Sequence, residues 1–559
     1  MQASFRASVD QRLLGKVTRL FNASLADTLN ELLQNARRAG ASRVDVSERQ
    51  GELVIRDDGA GIEDPRVLLT LGESRWSELT ASNEDPAGAG VFSLSPRGAV
   101  IHSRSWDAKQ GWTMTLTPKH FSGKEEVHAD PFDMDPGTEI VFPLRDNELV
   151  EPVLKAAALH YPLPVTLNGE PLDRKDFLEG AVHIESWSGL RIGVFRQIGY
   201  ERRSNINFHG LTLQTALPSI AEVMMSRAFS ARIDVQACPD LKLVLPARKE
   251  VVEDAFFDEL MEQLKRVIYR AIGEGQSHFL PHRSWVEAKK LGVDLPEAEA
   301  ALWPYEPARA DIDSFYRDSP TPLPVSHGGS IVDFEDEPPA HQVFAHAMEM
   351  SAPGTLLYEG CAAYRGYGWY DRLSEITGFR CLMTEGGKTA EVPLDEHAGK
   401  RQRPDEITVE VVIREPGKGN RLLTLATDVL VAGDTSAWTP PVDELDLFVT
   451  KDSGIAPEDL AALLQAAYFS PSDDSCEDSY TTQQERFEEE ALQTATALLL
   501  SEEEAKSARL RHGIERDFLW LLPRGQETVI TVSDGKAKIQ FRPSAGQTEE
   551  ANRVEAEPS

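Results

Sequence analysis

The hydrophobic pattern changes from helical spacing to alternation near the start of the chain. From Ser24 to Ala39 the apolar positions fall three or four residues apart, as on one face of a helix: Leu25, Leu29, Leu32, Leu33 and Ala36. Ser24 is well placed to cap that helix. Residues 43–47 and 52–57 instead alternate apolar and polar side chains around a Gln-Gly pair, which predicts a β-hairpin.

Further strand-like segments near 112–117 and 138–143 predict that the N-terminal region mixes helices with a sheet. Later strand-like runs end in an amphipathic helix near 255–272, and a long helical stretch is predicted near 481–511. The pattern divides the chain into five predicted ranges: an α/β sandwich (1–145), a second α/β domain (146–275), a Pro- and acid-rich linker (276–343), an α+β region of unknown fold (344–545) and a disordered tail (546–559).

Charge and composition exclude several classes of protein. The net charge is −33, and residues 281–559 alone hold 26 Lys and Arg against 51 Asp and Glu. Such an acidic surface repels the phosphate backbone, so nucleic acid is not an expected partner. No apolar run is long enough to span a bilayer, and the N-terminus does not resemble a secretion signal. The four widely spaced cysteines contain no zinc-ribbon pair and fit a cytoplasmic location.

The predicted first helix carries a carboxylate and an amide four residues apart. Glu31 and Asn35 lie in the segment ELLQNARRAGA, and this spacing puts both side chains on one helix face, roughly 6 Å apart. A carboxylate there can orient and deprotonate a water, and an amide oxygen is a hard ligand suited to Mg²⁺. The commoner alternative for such a pair is a solvated helix face.

Three further motifs follow along the chain, and each has a plainer explanation as a turn or loop. In DDGAGI, Asp57 can accept a hydrogen bond from an adenine amino group, while Gly59 and Gly61 let the backbone pass close beneath the base. A glycine segment with Gly88 and Gly90 leads into Val91 and Phe92, and its N–H groups could bind phosphates. Before the strand EIVF, the hydroxyl of Thr138 could close the pocket.

The order of these four motifs resembles the GHKL superfamily, which comprises DNA gyrase B, the heat-shock chaperones of about ninety kilodaltons, sensor histidine kinases and MutL. The resemblance covers roughly residues 10–145 and implies the Bergerat ATP-binding fold. It implies that Glu31 is the general base, that Asn35 is the Mg²⁺ ligand, and that Asp57 holds the adenine. Gly59, Gly61 and Thr138 would assist Asp57.

The resemblance also implies an ATP lid over residues 72–92. Gly88 and Gly90 would contact the phosphates there, followed by Val91 and Phe92. Two positions depart from the family pattern. Many relatives carry Asp where this chain has Arg38, and Asp85 replaces an earlier glycine of the lid. ATP binding is therefore expected with slow hydrolysis.

The segment DLKLVLPARKEV at 240–251 resembles the transducer of MutL and the middle-domain segment of the heat-shock chaperones. In both, a strand delivers a basic residue to the ATP γ-phosphate. The matching residue here is Arg248, with Lys249 as the second choice, and a cation there would stabilise charge on the transferred phosphoryl group. The alternative is an exposed basic loop.

Three functions remain open from the sequence. The first is a chaperone-like ATPase that acts on a protein partner, with ATP and Mg²⁺ as cofactors and with ATP-dependent homodimerisation implied by the family. The second is a DNA-processing ATPase of the MutL or topoisomerase type, which the acidic charge disfavours. The third is a nucleotide-binding interaction protein without significant turnover. A histidine kinase is not expected, because no His precedes His102.

Overall fold

The computed structural model describes most of the chain and divides it into two compact units. The described residues are 24–70, 90–198, 204–223, 227–244, 250–311, 321–334, 337–395, 398–434, 439–472, 478–521 and 526–543. Unit 1 comprises Met1–Glu299 with Ala363–Tyr367, and unit 2 comprises Ala300–Ala362 with Gly368–Ser559. Each unit has its own buried apolar core.

Unit 1 begins, within the described residues, with helix α1 (Leu25–Arg38). The side chain of Ser24 accepts a hydrogen bond from the Asp27 amide at 3.1 Å, which caps the helix. All five residues of the predicted apolar stripe are buried. The sequence prediction of a capped amphipathic helix is therefore confirmed.

Among the described residues, eight strands form the first sheet of unit 1: β1 (Val44–Arg49), β2 (Glu52–Asp57), β3 (Ala99–Arg104), β4 (Gly111–Leu116), β5 (Asp130–Phe132), β6 (Gly137–Pro143), β7 (Val165–Leu167) and β8 (Glu170–Pro171). Their order is β5-β4-β3-β6-β2-β1-β7-β8. All pairs are antiparallel except β1 with β7. The predicted hairpin is β1–β2, with both residues of its turn at positive φ, and the strands expected near 112 and 138 are β4 and β6.

Three helices accompany this sheet in the described residues: α1, α2 (Pro118–Phe121) and α3 (Val150–Ala158). Helix α1 packs against α3 and against a single 3₁₀ turn at Gly90–Leu94. Their apolar faces share one core with the inner side chains of the sheet. This arrangement of helices over a mixed sheet confirms the predicted α/β sandwich.

A second sheet follows in unit 1, built in the described residues from six strands: β9 (His183–Trp187), β10 (Leu190–Ile198), β11 (Ile206–Phe208), β12 (Leu211–Leu213), β13 (Ser219–Ala221) and β14 (Arg227–Val235). The order is β12-β11-β14-β10-β9, with β13 beside β14. Helices α4 (Ala255–Gly273) and α5 (His282–Lys290) complete its core. Helix α4 is the amphipathic helix predicted near 255–272.

The stretch 276–343, predicted to be a linker, contains regular structure and buried side chains. Helix α5 lies within it, and Leu280 and Leu295 are buried in the core of the second sheet. Pro and acidic residues therefore coexist here with an ordered backbone. The five domain ranges expected from the sequence stay predictions.

Unit 2 combines strands and helices, as expected for an α+β region. Its described strands are β15 (Ala301–Leu302), β16 (Leu323–Pro324), β17 (Ser330–Val332), β18 (Leu357–Glu359), β19 (Ser374–Glu385), β20 (Lys388–Val392), β21 (Arg401–Gln402), β22 (Glu406–Glu415), β23 (Gly419–Thr427), β24 (Val429–Ala432), β25 (Asp446–Val449), β26 (Gln526–Ser533) and β27 (Lys536–Pro543). Its described helices are α6 (Pro338–Ser351), α7 (Pro457–Tyr468), α8 (Tyr480–Leu499) and α9 (Glu502–Asp517). Helices α8 and α9 account for the helical stretch predicted near 481–511.

The largest sheet of unit 2 has the order β18-β17-β19-β22-β23, with β20 beside β19. A smaller sheet has the order β21-β25-β24. Helices α6, α7 and α8 contribute buried side chains to one core with both sheets. In the part of the chain that the structure describes, no helix has the length and apolarity needed to cross a membrane.

Candidate active site

Helix α1 presents Glu31 and Asn35 away from its buried stripe. Both side chains are half-buried, one helical turn apart, while the core-facing residues on either side of them are almost fully enclosed. The helix periodicity that buries Leu29, Leu32 and Leu33 therefore fixes the two polar residues at the edge of the core. A carboxylate and an amide share one partly solvated face.

The loop after β2 is held against the end of α1. The Ala60 amide donates to the carbonyl of Ala39, the C-cap of α1, at 2.8 Å. A Cβ built on Gly59 would lie 2.8 Å from the Cβ of Ala39, so glycine permits this close approach. These contacts bring Asp57 close to the C-terminal end of α1.

The two consecutive carboxylates have different environments. The Gly59 amide donates to Asp57 Oδ1 at 2.9 Å, yet burial dominates and raises the pKa of Asp57 to about 6. Partial burial opposes ionisation of Asp58 as well, but hydrogen bonds from Ser42 outweigh it and lower the pKa. Asp58 thus fixes the turn before β1, whereas burial disfavours the ionised form of Asp57.

The Ser103 hydroxyl connects three segments near Asp57 through hydrogen bonds. The Ile62 amide donates to Ser103 Oγ at 2.8 Å, and Ser103 Oγ donates to the Gly137 carbonyl at 3.0 Å. The hydroxyl oxygens of Ser103 and Thr138 lie 3.1 Å apart, and Thr138 faces Asp57 in the β2–β6 register. The structure therefore places Thr138 next to Asp57, as the sequence suggested.

Only part of the predicted lid can be located. Residues 71–89, including Gly88, lie outside the described residues, and Gly90 opens the 3₁₀ turn. Phe92 is buried against Phe121, with ring centroids 5.6 Å apart, and Val91 is half-buried. Phe92 accordingly anchors the end of this segment in the sheet core.

Two buried hydroxyls lie in and just after that turn. Ser93 and Ser95 are 3% and 4% exposed, and neither hydroxyl has a hydrogen-bond partner among the residues that the structure describes. Buried polar groups in folded proteins nearly always have a partner. These two atoms are therefore candidates to contact a ligand.

The predicted phosphate-contacting cation cannot be placed, because Arg248 and Lys249 lie outside the described residues. The chain on either side is paired: Leu243 bridges Val251 in antiparallel fashion, and the Val244 amide donates to the Glu250 carbonyl at 2.9 Å. The role of Arg248 stays a prediction.

Helix α1 is also hydrogen-bonded to the second sheet. The buried Gln34 donates through Nε2 to the carbonyl of His209 at 2.7 Å, in the turn between β11 and β12. The hydroxyl of Tyr161 donates to the carbonyl of Leu33 at 2.6 Å. A cavity of about 350 Å³ lies beside these contacts, lined among others by Tyr161, His209 and Asp234. The Gln34 bond therefore connects α1 directly to the second sheet.

Comparison with known proteins gives matches over a limited stretch of the chain. No protein-family model matches it. MutL, the DNA mismatch repair protein, of Pseudomonas putida W619 is 36% identical over 116 residues, which is 20% of this chain and 17% of that protein. MutL of Aliivibrio salmonicida is 31% identical over 115 residues, 20% of this chain and 17% of that protein. The chain thus spans less than a fifth of the length of these curated relatives.

The chain resembles the GHKL ATPases, MutL among them. Among solved structures, the Aquifex aeolicus MutL ATPase domain complexed with ADP matches 35% of this chain and 85% of its own, with 17% identity and a TM-score of 0.24. That score is too low to support a fold assignment. The resemblance rests on the sequence matches, and the fold on the sheets and helices described above.

The GHKL-type Mg²⁺ site does not fit the donors that surround Asn35. Its amide oxygen, the predicted ligand, accepts a hydrogen bond from Arg38 Nη1 at 3.2 Å. No group of three or more His, Cys, Asp or Glu side chains suited to a metal occurs in the described residues. A cation bound at that oxygen opposes a second cation there.

Sequence reasoning missed two residues of the candidate site, Ser103 and Gln34. Ser103 interrupts the apolar face of β3, where Ala99 and Ile101 are buried, and a polar residue in that alternation was an available signal. Gln34 likewise stands in the buried stripe of α1. Its partner, the carbonyl of His209, is distant in sequence, so no local pattern indicates that contact.

We expect Asp57→Asn to stabilise the folded protein at neutral pH by roughly 1–3 kcal/mol. The folded-state pKa of about 6 lies above the ordinary value of 3.8. The stability linked to this group is therefore complete below the ordinary value and is lost as pH rises through about 6. Urea denaturation across this pH range measures the difference between variant and wild type.

The matched control is Asp58→Asn, which removes the neighbouring carboxylate. The pKa of Asp58 is lowered in the folded state, so its stabilising contribution is present above its ordinary pKa and lost as pH falls. We expect Asp58→Asn to destabilise the protein at neutral pH. If Asp57→Asn were also destabilising at alkaline pH, burial would not be the cause that raises the pKa of Asp57.

Proposed function

We propose that the N-terminal region binds ATP, hydrolyses it slowly and switches the conformation of the chain, as a chaperone-like protein that acts on a protein partner. The observation that carries this proposal is Asp57, a buried carboxylate with a raised pKa that lies close to the C-terminal end of α1. Strongly perturbed carboxylates cluster at functional sites. The MutL matches over 116 residues support the nucleotide assignment.

The proposed site assigns a role to each group. Asp57 accepts a hydrogen bond from the adenine amino group, with Gly59, Gly61 and Thr138 shaping the base pocket. Glu31 takes the proton of the attacking water, since its half-buried carboxylate lies at the edge of the core. Asn35 positions the phosphate end of the nucleotide from the next turn of α1.

The lid and the basic residue complete the proposed site. Backbone N–H groups at Gly88, Gly90 and Val91 would bind the phosphates, and Phe92 anchors the lid through its contact with the core. The buried hydroxyls of Ser93 and Ser95 are further donors in the same stretch. Arg248 would stabilise the charge that develops on the γ-phosphate.

A switch needs a connection from the nucleotide to the rest of the chain. Two hydrogen bonds of α1 supply this connection. Gln34 donates to the His209 carbonyl, and the Leu33 carbonyl accepts from the Tyr161 hydroxyl. Both bonds involve α1, the helix that also carries the proposed general base, Glu31. A shift of α1 on nucleotide binding would therefore move the turn between β11 and β12.

Limited proteolysis and hydrodynamic size, each measured without nucleotide, with ADP and with ATP, test the switch. We expect ATP to change both the cleavage pattern and the size, the latter through association of two protomers. ADP should restore the nucleotide-free behaviour. An identical pattern and size in all three states would exclude the switch, even if ATP binds.

A second candidate is a DNA-processing ATPase, because the matched relatives are DNA mismatch repair proteins. The charge of −33 opposes it. DNA binding that strengthens with ATP and weakens steeply with salt would favour this candidate over a protein partner. Absence of DNA binding at low salt, with and without ATP, would leave the protein-directed switch.

A further inference from the structure

Arg38 is hydrogen-bonded to the amide oxygen of Asn35, the atom that the GHKL resemblance assigns to a metal. It is three residues after Asn35 on α1, and its Nη1 donates to Asn35 Oδ1 at 3.2 Å. Arg37 and Arg38 both stand in the last turn of the helix, where the helix dipole favours cations. The guanidinium is thus stabilised in this position by its local structure.

A divalent cation and this guanidinium would compete for one oxygen. A guanidinium has only donors and cannot coordinate a metal, and it stays protonated at all accessible pH values. Two cations about 4 Å apart in a partly buried site repel each other, because little water screens them.

We propose that Arg38 takes the place of the divalent cation, so that this chain binds metal-free ATP through a guanidinium–phosphate contact. The inference rests on the proposed ATP site. The planar guanidinium matches phosphate oxygens in bidentate geometry, and Asn35 orients it from the preceding turn. ATP without a metal carries more negative charge than its Mg²⁺ complex, which suits a site whose cation belongs to the protein.

Equilibrium binding of a fluorescent ATP analogue, measured in EDTA and in excess MgCl₂, tests this directly. For the intact chain we expect the dissociation constant in EDTA to be no higher than the one in excess MgCl₂, because Arg38 supplies the cation. Arg38→Ala should weaken binding in EDTA by about tenfold or more, the loss of a charge-assisted contact. Arg38→Lys, which keeps the charge, should retain part of the affinity.

Arg38→Asp is the converse test. It puts a carboxylate beside the amide oxygen of Asn35, and two hard oxygens on adjacent turns suit Mg²⁺. We expect this variant to bind the analogue poorly in EDTA and to gain at least about tenfold in affinity on adding Mg²⁺. Arg43→Ala removes an exposed arginine paired with Asp45 and should behave as the intact chain in both buffers.

The outcomes distinguish the role of Arg38 from the proposed ATP site on which it rests. Binding that requires Mg²⁺ in the intact chain, unchanged by Arg38→Ala, would overturn the role of Arg38 while keeping the ATP site. Saturable binding in neither buffer would refute the ATP site itself, and the inference with it.

Discussion

Glu31→Ala is expected to abolish ATP turnover while leaving ATP affinity within about threefold of the intact chain. A positioned general base contributes roughly 10²- to 10⁴-fold to rate, and the loss should fall in that range. Alanine is the best helix former, and Glu31 lies outside the buried stripe of α1. The fold should therefore survive, and steady-state phosphate release measures the effect.

Two controls make the Glu31 result specific. Glu31→Gln keeps the shape and removes the basicity, so it should lose turnover as fully as the alanine variant. Glu151→Ala removes an exposed carboxylate from α3 that pairs with Lys155, and should leave turnover unchanged. Activity that persists in Glu31→Ala would reject the general-base assignment. Absence of turnover in the intact chain, with ATP bound, would favour a nucleotide-binding protein without catalysis.

Gly61→Ala is expected to reduce the free energy of unfolding by at least about 3 kcal/mol, in the range of strongly disruptive substitutions. Gly61 has φ of +66°, and a Cβ there would overlap the carbonyl oxygen of Arg104 on β3. Relief of that overlap must move Ile62, whose amide bonds Ser103 and whose carbonyl accepts from Trp112 Nε1 at 2.9 Å. Urea denaturation reports the loss.

Gly51→Ala provides a matched comparison for backbone strain alone. Gly51 also has positive φ, +82°, but a Cβ there meets nothing within 4 Å. Left-handed backbone strain of about 1–2 kcal/mol is then its whole effect. The same pair separates folding from recognition: ATP affinity, measured where both variants are folded, should fall only in Gly61→Ala. Equal effects of the two substitutions would show that the approach to Arg104 is unimportant.

Local elements of the N-terminal region could be predicted because each has a short-range cause. The α1 stripe and its Ser24 cap follow from helical periodicity, and the β1–β2 hairpin from alternation around Gln50 and Gly51. Asp57 could be singled out because DDGAGI follows the Glu31–Asn35 pair in the order that resembles the GHKL superfamily. Its elevated pKa could not, since burial depends on β6 and on the loop held by Ala39.

The rest depends on contacts that sequence patterns do not encode. The parallel pairing of β1 with β7 joins residues about 120 positions apart, and the bond from Gln34 to His209 spans 175. Arg38 was recognised as a departure, but its hydrogen bond to Asn35 depends on the rotamers chosen in the folded protein. Composition likewise does not report that Leu280 and Leu295 are buried.

Calorimetric titration of the intact chain with ATP and with GTP, at a pH above 6 so that Asp57 is ionised, tests the central claim most directly. The carboxylate accepts from the amino group of adenine but repels the carbonyl oxygen that guanine presents at the same position. We predict one saturable ATP site per chain, with GTP and the Asp57→Asn variant each at least about tenfold weaker. Absence of saturable ATP binding, or equal affinity for ATP and GTP, would contradict the account.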